Sequence, residues 1–184
     1  MLFTVDAELI KKAQEGDNDV ISALYEHFYL SIFRYLYYRV GDPQVAEDLT
    51  SEVFLRMLRA IPNYTLRSVS FQAWLFQIAR NIAIDHYRKS KFRDHISLEE
   101  SIVSHEESVD TSVQKGLDSE HLLKALTRLT DEQREVIIMR FVAGMPITEV
   151  AQTLHKSENA IKALQRRALM VLRQILTDWE IVYG

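Results

Sequence analysis

The segment from Lys156 to Arg173 carries the clearest chemical signal in the chain, because it holds five basic residues and a single acid, Glu158. The major groove of DNA admits one α-helix, whose first turns meet base edges while nearby cations hold phosphates. The side chains that we expect to meet base edges are Asn159, Lys162, Ala163 and Arg166. We expect Arg167 and Arg173 to contact phosphates, which position a helix without specifying sequence.

A second basic cluster lies at positions 88–93, with Tyr87 and Phe92 among its cations. The four bases are Arg88, Lys89, Lys91 and Arg93. This mixture suits a single nucleic-acid strand, because phosphates take the charge and unstacked bases take the rings. The alternative is a basic helix end favoured by the helix dipole, which explains the charges but not the aromatic residues.

Two carboxylates, Asp48 and Glu52, lie four residues apart on a predicted helix. Like charges at this spacing cost roughly 0.2 to 0.5 kcal/mol, which Arg56, four residues beyond Glu52, partly offsets. A solvated helix face is the plain interpretation. A partner surface that carries arginines is the functional one.

Two short amphipathic helices are predicted before the basic segment. Thr130 can cap the first, and Gln133 can complete a capping box three residues later. Its predicted buried side consists of Val136, Ile137, Met139 and Phe141. The second helix spans about 148–154, after Gly144 and Pro146.

His155 and Lys156 form the turn to the third helix, for which Ser157 is a good N-cap. The residues of that helix predicted to face inward are Ile161, Leu164, Ala168 and Leu172. Its basic side chains then lie on the outer side. This order of elements predicts a helix-turn-helix; a helical bundle with a solvated basic face is the alternative.

Capping residues also mark the helices of the first half of the chain. Asp17 or Asn18 can begin a long helix that ends at Gly41. Asp42 followed by a proline begins the next one, since a proline at the first helical position loses no hydrogen bond. Ser70 can cap a further helix. We expect these helices to form one bundle.

Composition limits the fold and the classes of function. The 184 residues include only five glycines and three prolines, which favours an all-α fold. Cysteine is absent, which excludes disulfides and thiolate zinc sites and suits a cytoplasmic protein. Neither a basic-then-apolar leader nor an apolar run of about 18 residues is visible, so we expect neither export nor membrane insertion.

The net charge of −4 is unevenly distributed. Residues 1–94 are neutral and residues 119–184 sum to +1, whereas residues 95–118 hold six acids against Lys115. That middle segment has no aromatic residue and no sustained apolar period, with a short helix predicted only near 98–103. We therefore predict two small helical domains, 1–94 and 119–184, joined by an acidic linker, 95–118.

These motifs, in this order, resemble the sigma factors of bacterial RNA polymerase, specifically the small two-domain extracytoplasmic-function group. The resemblance covers about 23–176. Residues 46–56 resemble the polymerase-binding helix of region 2, and residues 71–85 resemble the helix that melts and recognises the minus-ten element. Residues 129–136 and 149–151 resemble region 4.

The resemblance implies a role for each group of residues. The residues that would bind the largest catalytic subunits of core polymerase are Asp48, Leu49, Glu52, Phe54 and Arg56. Those that would meet minus-ten DNA, with the 63–69 loop receiving a flipped base, are Asn63, Tyr64, Arg67, Asn81, Asp85, Arg88, Lys89, Lys91 and Arg93. Those that would meet the minus-thirty-five element are Ser157, Asn159, Lys162, Ala163, Arg166 and Arg167.

The resemblance further implies promoter DNA and an anti-sigma protein as partners, and neither cofactor, metal nor catalysis. Two competing functions remain open. A conventional helix-turn-helix regulator would bind its duplex without polymerase. An enzyme would need a compact site, but His95, His105 and His121 are spread across the predicted linker without metal-ligand spacing. The chain also differs from the family in having Pro146 before the second helix and His155 in the turn.

Overall fold

The computed structural model describes residues 5–65, 69–97 and 121–183, and all regular structure in these ranges is helical. The first unit contains α1 (Ala7–Gln14), α2 (Asn18–Val40), α3 (Pro43–Ala60), a 3-10 turn (Ile61–Asn63) and α4 (Phe71–Ser97). The second contains α5 (121–126), α6 (Asp131–Ile137), a π-helical turn (Ile138–Val142), α7 (Ile147–Leu154) and α8 (Glu158–Tyr183). The all-α prediction is confirmed. α4 extends three residues into the predicted linker, 95–118; the rest of that segment and its predicted short helix lie outside the described residues.

The helices of the first unit begin where their caps predicted. The Asp17 carboxylate accepts the backbone N–H groups of Asp19 and Val20 at 3.0 and 3.2 Å. The Asp42 carboxylate accepts the N–H of Val45 at 2.9 Å. Ser70 Oγ accepts the N–H of Ala73 at 3.1 Å. These short-range bonds satisfy amide groups that have no partner within the helix.

The core of the first unit is formed by α2, α3 and α4, with α1 packed alongside. Its fully buried large side chains include Leu24, Ile32, Tyr35, Leu36, Met57, Phe71, Leu75 and Phe76. Tyr35 lies among apolar residues and its ring meets that of Phe76 edge-on at 5.5 Å. The hydroxyl of Tyr35 therefore needs a buried partner, which the second unit supplies.

The capping box at the start of α6 is confirmed. The Gln133 N–H donates to Thr130 Oγ1 at 3.3 Å, and the Thr130 N–H donates to Gln133 Oε1 at 3.1 Å. The prediction that Phe141 is buried is wrong, because its side chain is 55% exposed. The cause is the π-helical turn, in which the N–H of Ala143 bonds to the carbonyl of Ile138, five residues back.

The helix-turn-helix has the predicted order, α6, α7, a tight turn and α8. His155 adopts the left-handed conformation (φ 52°, ψ 44°), so the turn keeps a geometry that usually favours glycine. Ser157 Oγ then accepts the N–H of Ala160 at 3.2 Å, as expected of an N-cap. Ile161, Leu164 and Ala168 are buried, which leaves the basic side of α8 outward.

Candidate nucleic-acid and polymerase interfaces

The outer side of α8 presents most of the side chains predicted to meet the minus-thirty-five element. The exposed residues are Ser157, Asn159, Lys162, Arg166, Arg167 and Arg173, while Ala163 is partly buried. Lys162 Nζ lies 3.8 Å from Glu158 Oε2 in an exposed pair. Arg167 Nε donates to the carbonyl of Ala163 at 3.3 Å, which holds its stem along the helix. The helix therefore offers an exposed cationic stripe.

The carboxylates predicted to bind polymerase lie outward on α3. Asp48 is exposed, and Glu52 is partly exposed. Arg56 Nε donates to Glu52 Oε1 at 2.7 Å, and this hydrogen bond lowers the pKa of Glu52. Arg56 Nη1 also lies 3.9 Å from Asp85 Oδ2, so it connects the predicted polymerase face with the predicted DNA face.

The apolar members of the predicted polymerase set are placed differently from the carboxylates. Phe54 is only 5% exposed, and its ring packs 4.6 Å from that of Tyr25. Leu49 is partly buried. The ring of Phe54 therefore points into the core and packs beneath this surface. The exposed apolar side chains here are Tyr25, Leu55 and Leu58.

The loop predicted to receive a flipped base is anchored at its start. Asn63 is exposed, but Tyr64 is only 7% exposed and its hydroxyl donates to the carbonyl of Val69 at 2.9 Å. Its ring lies 4.7 Å from that of Trp74, and burial raises its pKa to about 12. Tyr64 therefore closes the base of the loop in this conformation. Arg67 lies outside the described residues.

The second half of α4 exposes the predicted basic cluster. Asn81, Arg88, Lys89 and Lys91 are exposed, and Asp85 is partly exposed. Lys91 Nζ lies 5.9 Å from the centre of the Tyr87 ring, so a cation and an aromatic ring adjoin as the spacing predicted. The side chains of Phe92 and Arg93 lie outside the described part of the helix.

A buried carboxylate joins the two units, which no sequence motif had predicted. Glu135 of α6 is 4% exposed. The Tyr35 hydroxyl lies 3.1 and 3.2 Å from its two oxygens. Arg39 Nε lies 3.1 Å from Oε1, and Arg80 Nε lies 3.5 Å from Oε2. Burial raises the pKa of Glu135, and the two guanidinium groups oppose that shift.

The geometry of these ion pairs shows what kind of attraction holds them. Neither Arg39 Nε nor Arg80 Nε makes a hydrogen bond within the described part of the chain, although both lie at ion-pair distance from Glu135. The attraction is therefore mainly one of charge. Burial also raises the pKa of Tyr35 well above its ordinary value, so this hydroxyl stays protonated and donates.

A second set of contacts joins α7 to the start of α4. Thr153 Oγ1 lies 3.3 Å from the carbonyl of Ala73. The side-chain oxygen of Gln152 accepts the N–H of Ser70 at 3.3 Å. The backbone carbonyl of Gln152 accepts from Gln77 Nε2, also at 3.3 Å. Burial raises the pKa of Glu149, which lies on the same helix.

Other kinds of site are not seen in the described parts of the chain. No group of three histidine, aspartate or glutamate side chains in residues 5–65, 69–97 and 121–183 could hold a metal ion. None of the helices in those ranges combines the length and apolar character needed to cross a membrane.

Comparison with known proteins assigns both units to described families. The family Sigma-70 region 2 matches residues 24–93, and Sigma-70, region 4 matches residues 125–174. The ECF RNA polymerase sigma factor SigX of Bacillus subtilis is 32% identical over 172 residues, covering 85% of this chain and 83% of SigX. BldN of Streptomyces coelicolor, another ECF sigma factor, is 42% identical over 173 residues, which are 93% of this chain but only 66% of BldN.

Two solved structures share the fold. CnrH, in complex with the cytosolic domain of CnrY, has a TM-score of 0.73 at 21% identity and covers 92% of this chain and 96% of its own. RpoE, in complex with the anti-sigma factor NepR from Bartonella quintana, has a TM-score of 0.71 at 23% identity, covering 85% of this chain and 96% of its own. Both likenesses extend over most of the helical architecture described above.

Proposed function

Because the chain belongs to the ECF group of RNA polymerase sigma factors, which direct promoter-specific transcription initiation, we propose how its two units divide that work. Residues 1–94 act as region 2, which binds core polymerase and opens and recognises the minus-ten element. Residues 95–118 act as the acidic linker. Residues 119–184 act as region 4 and bind the minus-thirty-five element. The factor acts in the cytoplasm, without catalysis of its own.

The observation that carries this proposal is the pair of outward carboxylates on α3. Among the described residues no cation pairs with Asp48, and Glu52 shares its cation, Arg56, with Asp85. Exposed acids that are four residues apart destabilise an isolated helix, so their presence fits a basic partner surface. The exposed neighbours Tyr25 and Leu55 add apolar area to the same unit, and we assign this surface to the largest polymerase subunits.

The DNA-binding roles follow from exposure and charge. Asn63, Asn81, Asp85 and the basic cluster of α4 meet the opened minus-ten strand, with Arg67 and Arg93 as further candidates from the sequence alone. Tyr64 holds the loop that receives the flipped base, since its hydroxyl closes that loop at Val69. The cationic stripe of α8 enters the major groove of the minus-thirty-five element. An anti-sigma protein would have to cover these same faces.

Run-off transcription with purified core polymerase and a library of promoter fragments tests the proposal. Transcripts should appear only when the protein is added, and they should vanish when Asp48→Arg and Glu52→Arg are combined. Glu8→Arg with Glu15→Arg is the matched control, because it makes the same charge change on two exposed acids, one in α1 and one at its C-cap. This control should leave both core binding and transcription unchanged.

The opposite result is equally clear. If the protein does not bind core polymerase but binds a duplex site tightly by itself, the conventional helix-turn-helix regulator replaces the sigma factor. Loss of transcription in the Glu8→Arg, Glu15→Arg control would instead show that net charge, and not the α3 surface, determines binding.

A further inference from the structure

We propose that α1 takes part in minus-ten recognition, with Gln14 as the residue that positions the loop for the flipped base. This helix ends at Gln14 and precedes the segment that matches Sigma-70 region 2, residues 24–93. Gln14 acts through the backbone of the loop and touches no base itself. The inference rests on the proposed assignment of the loop at 63–69 to the minus-ten strand.

Packing fixes α1 in place against the rest of the first unit. The helix has eight residues, which is too short to be stable alone in water. Its apolar side chains Ile10 and Ala13 are buried, and the helix packs against α2 and the 3-10 turn. The Asp6 carboxylate caps it by accepting the N–H of Leu9 at 2.8 Å. The end of α1 is therefore held beside the turn from which the loop departs.

The side chain of Gln14 binds that turn through two hydrogen bonds. Its Nε2 donates to the carbonyl of Ile61 at 3.0 Å and to the carbonyl of Tyr64 at 2.8 Å. An amide nitrogen carries two N–H groups, so both are used. The acceptors lie 47 and 50 positions away in the sequence. Because a carbonyl oxygen can only accept, the side chain at position 14 must present a donor.

Gln14 controls the one part of Tyr64 that α4 and the loop do not hold. The Tyr64 ring lies 4.7 Å from that of Trp74 in α4, and its hydroxyl donates to the carbonyl of Val69 at 2.9 Å. Its carbonyl belongs to the peptide group that leads into the loop, towards Thr65, and Gln14 holds that carbonyl. Without this donor the ring stays in place, but the first peptide group of the loop is free to rotate. Gln14 therefore sets the direction in which the chain enters the loop.

Hydrogen exchange of backbone amides in the free full chain tests the positioning step. Gln14→Met keeps the length of the side chain and removes both donors. The N–H of Tyr64, which bonds to the carbonyl of Ile61 within the turn, should exchange roughly fivefold faster, the effect of one ordinary hydrogen bond. The N–H of Ala46 at the start of α3 should exchange at an unchanged rate. Lys11→Met is the matched control, because it places the same side chain on the exposed side of α1, and it should alter neither amide.

Binding of the polymerase complex to single-stranded minus-ten oligonucleotides that differ only at the flipped base tests the functional step. Gln14→Met should lower the preference among these bases roughly fivefold. Its affinities for core polymerase and for the minus-thirty-five duplex should not change, whereas a merely structural defect would lower all three. Gln14→Glu should lose the preference as well, because an ionised carboxylate cannot donate. Gln14→Lys should restore it, because its ammonium group can donate to the same carbonyls.

Each outcome decides one part of the inference. Unchanged exchange at Tyr64 in Gln14→Met, or an equal loss of base preference in Gln14→Lys, overturns positioning by hydrogen bonds. Faster exchange at Tyr64 with an unchanged base preference overturns the role of α1 in minus-ten recognition. Because exchange is measured without DNA or polymerase, faster exchange in a protein that supports no transcription would refute the proposed function and leave the hold of Gln14 on the turn in place.

Discussion

Arg166 and Arg167 are neighbours on α8, yet their removal should have different consequences for DNA binding. The stem of Arg167 is held along the helix by its bond from Nε to the carbonyl of Ala163 at 3.3 Å. From there its guanidinium group can reach a phosphate at the edge of the groove. Arg166 is exposed one residue earlier, on the side of α8 that carries Asn159 and Lys162. We therefore expect Arg167 to position the helix and Arg166 to recognise a base.

The magnitudes follow from these two roles. Each phosphate contact contributes a slope of about −0.9 to the dependence of log affinity on log salt concentration. When the salt concentration rises fourfold, the affinity of the Arg167→Ala variant should therefore fall by a factor about 3.5-fold smaller than that of the unmodified protein. This difference should be the same for every duplex. Arg166→Ala should lower discrimination at one base pair by roughly 5-fold to 150-fold. Both residues are exposed, so neither change should alter folding.

Binding of the polymerase complex to promoter duplexes, measured over a range of salt concentrations, separates these roles. Each variant is tested on the preferred minus-thirty-five sequence and on its single-base variants. Arg128→Ala is the control, because Arg128 is exposed outside α8. The reasoning is refuted if Arg167→Ala changes preference at one base pair, or if Arg166→Ala flattens the salt dependence without relaxing any preference.

Three further predictions concern the supports of these surfaces. Thr130→Ala should lower the free energy of unfolding by about 1 kcal/mol through loss of the capping box, and an unchanged midpoint in urea denaturation would contradict this. Tyr64→Phe should cost about 1 kcal/mol and slow promoter opening, measured by permanganate footprinting, because the loop loses its bond to Val69; unaltered opening would show that the bond has no role. Burial raises the pKa of Glu149, so the stability that depends on its protonated form is present below its ordinary pKa and is lost as the pH rises through the raised value. Glu149→Gln should keep that stability above the raised pKa, which denaturation across the acid range can measure. If the difference in stability between this variant and the unmodified protein stays constant with pH, burial of this carboxyl does not control stability.

The local features of the fold could be predicted from the sequence because their partners lie within one helical turn. The capping box of Thr130 and Gln133 involves residues three positions apart, and so do the cap bonds of Asp42 and Ser157. The exposed stripe of α8 was predictable for the same reason, since a period of 3.6 residues separates its apolar and basic sides. The residue types alone identify such bonds.

The buried features of the site were beyond this kind of prediction. In the sequence, Glu135 cannot be distinguished from a surface glutamate. The residues that bury it lie on helices far away in the sequence. The burial of Phe141 was wrongly predicted because a π-helical turn adds one residue and rotates the side chains that follow it. Helical periodicity in the sequence does not indicate such a turn. The burial of Tyr64 against Trp74 likewise depends on tertiary packing, which the spacing of residues does not indicate.

The buried cluster of Tyr35, Arg39, Arg80 and Glu135 also has a consequence for inheritance. If Glu135 alone is replaced by a neutral residue, Arg39 and Arg80 remain beside a site that no longer balances their charge. If Arg39 is lost first, Glu135 keeps one weaker pair, at 3.5 Å, in an almost dry environment. Each single step is therefore costly, whereas a joint change to apolar residues can be neutral. Among descendants of this chain, these positions should change together, and a lineage that has lost one of them should have lost its companions soon afterwards.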